Sequence, residues 1–151
     1  MQQPGLVLLA FAAGALLSAQ GPILTRMAIH AGGPIQAATV AFAVGLCVLL
    51  AAGVLAGTGM PRLENVVRMP IWLWAGGLIG TGLLLLTLYA VPRIGVAVFA
   101  AAVVCGQLLA ALAYDHVGAF GIELRRVGTR EMVGTMLLLA GLVMIACGPR
   151  D

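Results

Sequence analysis

Five long apolar runs, separated by short polar interruptions, account for most of this chain. They extend from about Gly5 to Thr25, Pro34 to Gly57, Ile71 to Val91, Ile94 to Tyr114 and Glu131 to Gly148. None alternates apolar and polar residues with period two, so strands are a poor reading throughout. A helix of roughly 20 residues, rising 1.5 Å per residue, crosses a hydrocarbon core of about 30 Å. Backbone in lipid must satisfy its own hydrogen bonds, and over runs this long that requires helices. The expected architecture is an all-α membrane protein, a bundle of five transmembrane helices forming a single integral membrane domain over residues 1–151.

Pro70 and Pro92 bracket the third run, and Asp115 closes the fourth. The longest polar stretches, Thr58 to Met69 and Asp115 to Arg130, are too short for a separate domain and read as loops. The second leads into the last helix, with Thr129 placed to act as N-cap and Glu131 favourably set in the first turn.

Composition adds the solvent to this picture. Hydrophobic residues make up 62% of the 151 residues and charged residues 9%, against roughly 25% charged in ordinary soluble domains. A core of this size cannot hide so much apolar surface from water, so the exterior needs lipid. Disorder, collagen, coiled coil and a secreted disulfide scaffold are excluded.

The net charge of +3 comes from arginines that punctuate the runs and form no stripe, which argues against nucleic acid. Counted by side, the N-terminus and the second and fourth loops carry Arg62, Arg68, Arg125, Arg126 and Arg130; the opposite side carries Arg26, Arg93 and Arg150. The positive-inside rule then places the N-terminus in the cytoplasm by a small margin. So small a bias also suits a protein that inserts both ways, or one that pairs with an oppositely biased partner. The first run has no Lys or Arg before it and four apolar runs after it, unlike a cleaved secretory signal. Cys47, Cys105 and Cys147 lie singly inside apolar runs, where they read as buried small hydrophobes and not as a metal or disulfide framework.

Small residues recur along helical faces: Gly14, Ser18 and Pro22; Ala37, Ala41 and Gly45; Gly76 and Gly80, with Gly77 alongside; Ala102, Gly106 and Ala110; Gly134 and Gly141. In lipid such stripes let backbones approach, and together they predict tight helix packing. Polar residues inside the runs are few: Ser18, Gln20, Gln36, Thr39, Thr81, Thr87 and Gln107. Gln107 is the sharpest, lying mid-run, where an amide without partners costs a few kcal/mol. It either lines a cavity and bonds a substrate or bonds a neighbouring helix. Gln20 precedes Gly21-Pro22, and Pro22 should kink the first helix, either bordering a binding site or simply adjusting packing. Trp72 and Trp74 suit an interfacial aromatic belt, as do Tyr89 and Tyr114. His30 and His116 read as solvated edge residues, and Asp115 as a helix-end carboxylate near Arg125 or Arg126.

No Asp, Glu, Lys or His falls near the middle of a run, so a proton relay through a central carboxylate is not supported. No nucleophile–base set and no metal cluster is present either, which argues against an intramembrane enzyme, and no cofactor is expected.

The segment PIWLWAGGLIGTGLLLLTLYAVPRIGVAVFAAAVVCGQLLAALAYDHVGAFG, from Pro70 to Gly121, carries a combination of motifs. Trp72 and Trp74 precede Gly76-Gly77 and Gly80; Pro92 and Gly95 follow, then Gly106-Gln107, Asp115, Gly118 and Gly121. Gln20, Phe42 and Gly45 match more loosely, as do Gly134 and Gly141. The chain thereby resembles the YdcZ-like inner-membrane exporters, the half-length, five-helix branch of the drug/metabolite transporter superfamily. Leu24 stands where that family usually has Asn, one turn after the Gln of the first helix. The resemblance implies one half of a ten-helix inverted-repeat exporter, in a family whose members occur as dual-topology proteins, paired subunits and fused chains.

An odd helix count agrees independently. Two oppositely oriented copies, or a copy and a paralogous half-length subunit, make an inverted repeat with a shared midplane site. The leading expectation is therefore a small-molecule exporter subunit working by alternating access in an inverted dimer. Gln107, Gln20 and Trp72 are the expected cavity lining. The alternative is a non-transporting membrane subunit that binds or stabilises another membrane protein.

Overall fold

A computed structural model describes residues 4–59, 61–121 and 123–148. Arg150, counted above toward orientation, lies outside the described residues. Every regular element among them is helical: α1 (Pro4–Ala31), α2 (Pro34–Leu55), a short α3 (Leu63–Val67), α4 (Ala75–Ile94, preceded by a 3₁₀ turn at Ile71–Trp74), α5 (Val96–Val117) and α6 (Thr129–Cys147). Five of the helical stretches are long and apolar enough to cross a membrane, the third of them taking in the 3₁₀ turn. The all-α, five-span reading stands.

Several boundaries differ from expectation. α1 does not stop at Thr25; it continues through Arg26 to Ala31, because one long cation at a membrane edge can reach headgroups without ending the helix. Pro22 lies within α1 and Pro92 within α4, and neither terminates its helix. Gly95, at φ 84°, provides the break that Pro92 was expected to make. That conformation is strained for residues with a Cβ. The stretch from Thr58 to Met69 is not all loop, since it contains α3. The N-cap of α6 is Gly128, not Thr129.

Backbone contacts divide the chain into two compact units, Met1–Arg93 and Ile94–Asp151. In the first, α2 folds back on α1 through Gly32 and Gly33. The turn is closed by the Gly33 amide donating to the Ala28 carbonyl at 2.9 Å and the Ala37 amide donating to Gly33 at 3.0 Å. Gly33 sits at φ 148°, a region essentially restricted to glycine, and Pro34 starts the next helix with its ring pre-set for a first turn. The small core of this unit joins three helices: Leu24 of α1, Ala37 and Ala38 of α2, and Leu88 of α4 are buried, with Met27, Ala28, Ala31, Ala41, Leu84 and Leu85 packed around them. Gly21 is buried beside Thr87 and Val91 of α4.

In the second unit α5 packs on α6. α5 ends in a left-handed cap at Gly118, whose amide donates to the Tyr114 carbonyl. The Tyr114 ring meets Phe120 edge-to-face at 5.3 Å. The Arg125 amide donates to the Asp115 carbonyl at 2.8 Å, tying the loop back to α5. Asp115 thus lies near the end of α5 and beside Arg125, linked through the backbone; the Arg125 side chain pairs with Glu131 at 3.0 Å. Glu131 also accepts from the Gly128 amide at 2.7 Å, satisfying one of the orphan donors at the start of α6.

Most large apolar side chains face outward. Leu6 through Leu9, Phe11, Leu16 and Leu17 of α1 are exposed, as are Leu46, Val48 and Leu49 of α2 and Met136, Leu137 and Met144 of α6. In water this would be an untenable surface; against acyl chains it costs nothing.

Candidate functional site

The polar groups within the membrane-length helices divide into two kinds. The hydroxyls are satisfied inside their own helices. Ser18 donates to Ala15 at 2.7 Å, Thr25 to Gly21 at 2.9 Å, Thr39 to Ile35 at 2.9 Å, Thr81 to Gly77 at 2.9 Å, Thr87 to Leu83 at 2.7 Å and Thr135 to Glu131 at 2.8 Å. Each of these donates back to a carbonyl three or four residues earlier, as hydroxyls commonly do in helices. Those hydroxyl protons are therefore not available to a ligand.

The amides are different. Gln107 lies midway along α5 and is exposed; Gln20 lies in the second half of α1 and is exposed. Neither shares a side-chain hydrogen bond with another described residue. An exposed amide on a membrane-length helix calls for a partner beyond the helix that carries it, because hydrocarbon offers none. Gln36, in the first turn of α2, turns its Oε1 toward Gly33, 2.8 Å from where a Cβ would stand there.

Trp72 is 58% exposed, in the 3₁₀ turn ahead of α4. It is not near Gln20 in the same chain. Gly21, the neighbour of Gln20, packs at Thr87 and Val91. Trp72 lies fifteen residues before Thr87, or roughly 20 Å along α4. One chain does not bring Gln20 and Trp72 to a common point. Arg93 closes the other end of α4, its guanidinium 3.7 Å over the Tyr89 ring and hydrogen-bonded to the Tyr89 carbonyl.

The small-residue stripes also depart from expectation. A Cβ at Gly14, Gly45, Gly76, Gly77, Gly80, Gly106, Gly134 or Gly141 would meet nothing within 4 Å. Ala37 and Ala41 serve packing inside the first unit, whereas these glycines meet no described residue of their own unit. Sequence periodicity identifies a face that permits close approach; it carries no information on whether the approaching helix belongs to the same chain.

No group of three or more His, Cys, Asp or Glu among the described residues could hold a metal ion. Cys105 is buried, as expected, whereas Cys47 and Cys147 are exposed.

With five membrane-length helices and two exposed in-span amides established, the class of protein is an integral, multi-pass membrane protein with polar groups presented from its helices. Over residues 5–144 the chain matches the family described as "Putative inner membrane exporter, YdcZ". It belongs to that family, whose description names an exporter and no enzyme class. No curated protein matches the chain, and no solved structure matches it. Leu24, where the resemblance implies Asn, is 3% exposed and spent on the α1–α2–α4 core.

Proposed function

We propose that this chain is one half of a small-molecule exporter that works by alternating access, assembled from two copies, or from one copy and a paralogous half-length subunit, inserted in opposite orientations. The observation that carries the reading is the pair of exposed, in-span amides, Gln107 and Gln20, on a chain with an odd number of spans. An unpartnered amide in hydrocarbon is costly, and a second subunit or a polar cargo relieves that cost. Open glycines along α4 and α5 support close approach by another chain. Opposed copies create an inverted repeat, whose shared site lies near the midplane and can open to either side.

In this reading Gln107 and Gln20 bond the cargo. Trp72, at the start of its span, lines an entrance and not the midplane contact. The separation of Trp72 from Gln20 supports that division of roles.

Topology mapping with reporters on both termini tests the assembly. Reporter activity on both sides of the membrane supports opposed copies. A single orientation, in cells where no oppositely inserted companion co-purifies, overturns the inverted dimer. Cargo efflux from liposomes holding the purified protein separates the exporter from a subunit that only stabilises another membrane protein.

A further inference from the structure

The connection between α2 and α4 was expected to be a polar loop, yet it carries some of the most exposed apolar side chains in the first unit. Leu63 is 78% exposed, Val67 79% and Ile71 88%. Leu63 and Val67 are spaced four residues apart on one side of α3, and Ile71 opens the 3₁₀ turn that follows. At about 100° per residue, Leu63, Val66 and Val67 occupy an arc of roughly 100°, while Arg62, Glu64, Asn65 and Arg68 occupy the rest. α3 is thus a short amphipathic helix whose apolar side is left exposed among the described residues, apart from Val66, which is half-buried. Val66 lines an open apolar groove of about 240 Å³ together with Met69, Leu73, Trp74 and Gly77.

Two facts define what covers this face. Three residues after α3 the chain enters Ile71, the first residue of a membrane-length span, where Ile71, Trp72 and Trp74 are again exposed. The polar side carries Arg62 and Arg68, and neither forms an ion pair with a described residue, even though Glu64 lies one turn before Arg68. Water would leave the apolar side uncompensated; the headgroup layer of a bilayer compensates both sides at once.

We propose that α3 is a surface-seated helix that rests its Leu63–Val67 side in the acyl boundary of the leaflet, with Arg62 and Arg68 on the phosphates of anionic phospholipid headgroups and an acyl segment in the Val66–Trp74 groove. Juxtamembrane Lys or Arg is attracted to an anionic surface, so the pair gives this element a preference for an anionic leaflet. The proposal does not depend on export or on how the subunits pair.

The test uses the full chain. Trp72 and Trp74 are its only tryptophans, so a W72F/W74F chain carrying Val67→Trp has one indole, at an exposed position. It is reconstituted in vesicles of phosphatidylcholine and in vesicles of an equal mixture of phosphatidylcholine and phosphatidylglycerol. Both leaflets are alike, so the direction of insertion does not affect the readout. The expected result in the mixed vesicles is blue-shifted emission, several-fold weaker quenching by acrylamide, and strong quenching by lipids brominated near the headgroup. The pure phosphatidylcholine vesicles should give weaker protection, and adding R62Q/R68Q should remove the difference. An indole quenched by acrylamide as freely as in water in both vesicles overturns the proposal. Equal burial in both overturns the pairing with anionic headgroups. Hydrogen exchange of residues 61–70 in the unsubstituted chain gives the same comparison without a probe: slower exchange in the mixed vesicles is expected, and identical exchange overturns the headgroup preference.

Discussion

Gly21 of α1 lies so close to Val91 of α4 that a Cβ added at Gly21 would stand 3.2 Å from Val91 Cγ2 and 3.5 Å from Thr87 Cγ2. Valine is stiff at χ1, so the side chain has little room to yield. Gly21→Leu should therefore destabilise the first unit by overpacking, by about 1–3 kcal/mol. Gly14→Leu and Gly45→Leu, where no atom lies within 4 Å, should leave stability nearly unchanged. Thermal unfolding in detergent micelles provides the comparison, and equal effects at all three positions would refute it.

Leu24 offers a test of how far the family pattern extends to this chain. Leu24→Asn would introduce the residue that the resemblance implies there, but at a site packed against Ala37, Ala38 and Leu88. No hydroxyl or carboxylate belongs to that cluster. The expected outcome is a loss of about 1–3 kcal/mol from a buried, unsatisfied amide, with no gain in transport. Enhanced export by this variant would show that the site is open in the working assembly.

The amides and the hydroxyls should behave oppositely. Gln107→Ala and Gln20→Ala should each weaken transport, about tenfold in apparent cargo affinity if one hydrogen bond of about 1.4 kcal/mol is lost. Thr39→Val and Thr81→Val should not, because their protons already go to Ile35 and Gly77. Efflux assays at matched expression distinguish the two sets.

Glu131 joins two functions at the start of α6, and they can be separated. Arg125→Gln removes only an exposed ion pair, the two side chains being 66% and 35% exposed, and should cost under about 1 kcal/mol. Glu131→Ala removes the acceptor for the Gly128 amide as well and should cost about 0.5–2 kcal/mol, as capping losses do. Unfolding of the two variants in parallel, at low and high salt, checks the ranking; the Arg125 effect should nearly vanish at high salt, while the capping part of the Glu131 effect should remain.

The spans were legible because length and hydropathy alone decide whether a helix crosses a bilayer, and these are properties of the chain itself. The ends were less so. Arg26 looks like a terminator but is a side chain long enough to reach headgroups, and Pro92 looks like a stop but is carried inside α4 until Gly95. α3 escaped notice because five residues hold barely more than one turn, too few for a periodicity to emerge from a polar stretch. Gln107 and Gln20 could be singled out as candidates from sequence, since amides in apolar runs are rare. The separation of Gln20 from Trp72 could not, because it depends on where Gly21 meets α4. The glycine faces were legible as surfaces, but their emptiness within the chain was not.

The Gly32–Gly33 turn has a consequence for biogenesis. With two residues between them, α1 and α2 have no slack to enter the bilayer separately; they must go in as a hairpin. Arg26 and His30 sit at the tip of that hairpin, so they either cross with it or stay behind with it. The first topological decision the ribosome-bound chain makes is thus taken once, for two helices together.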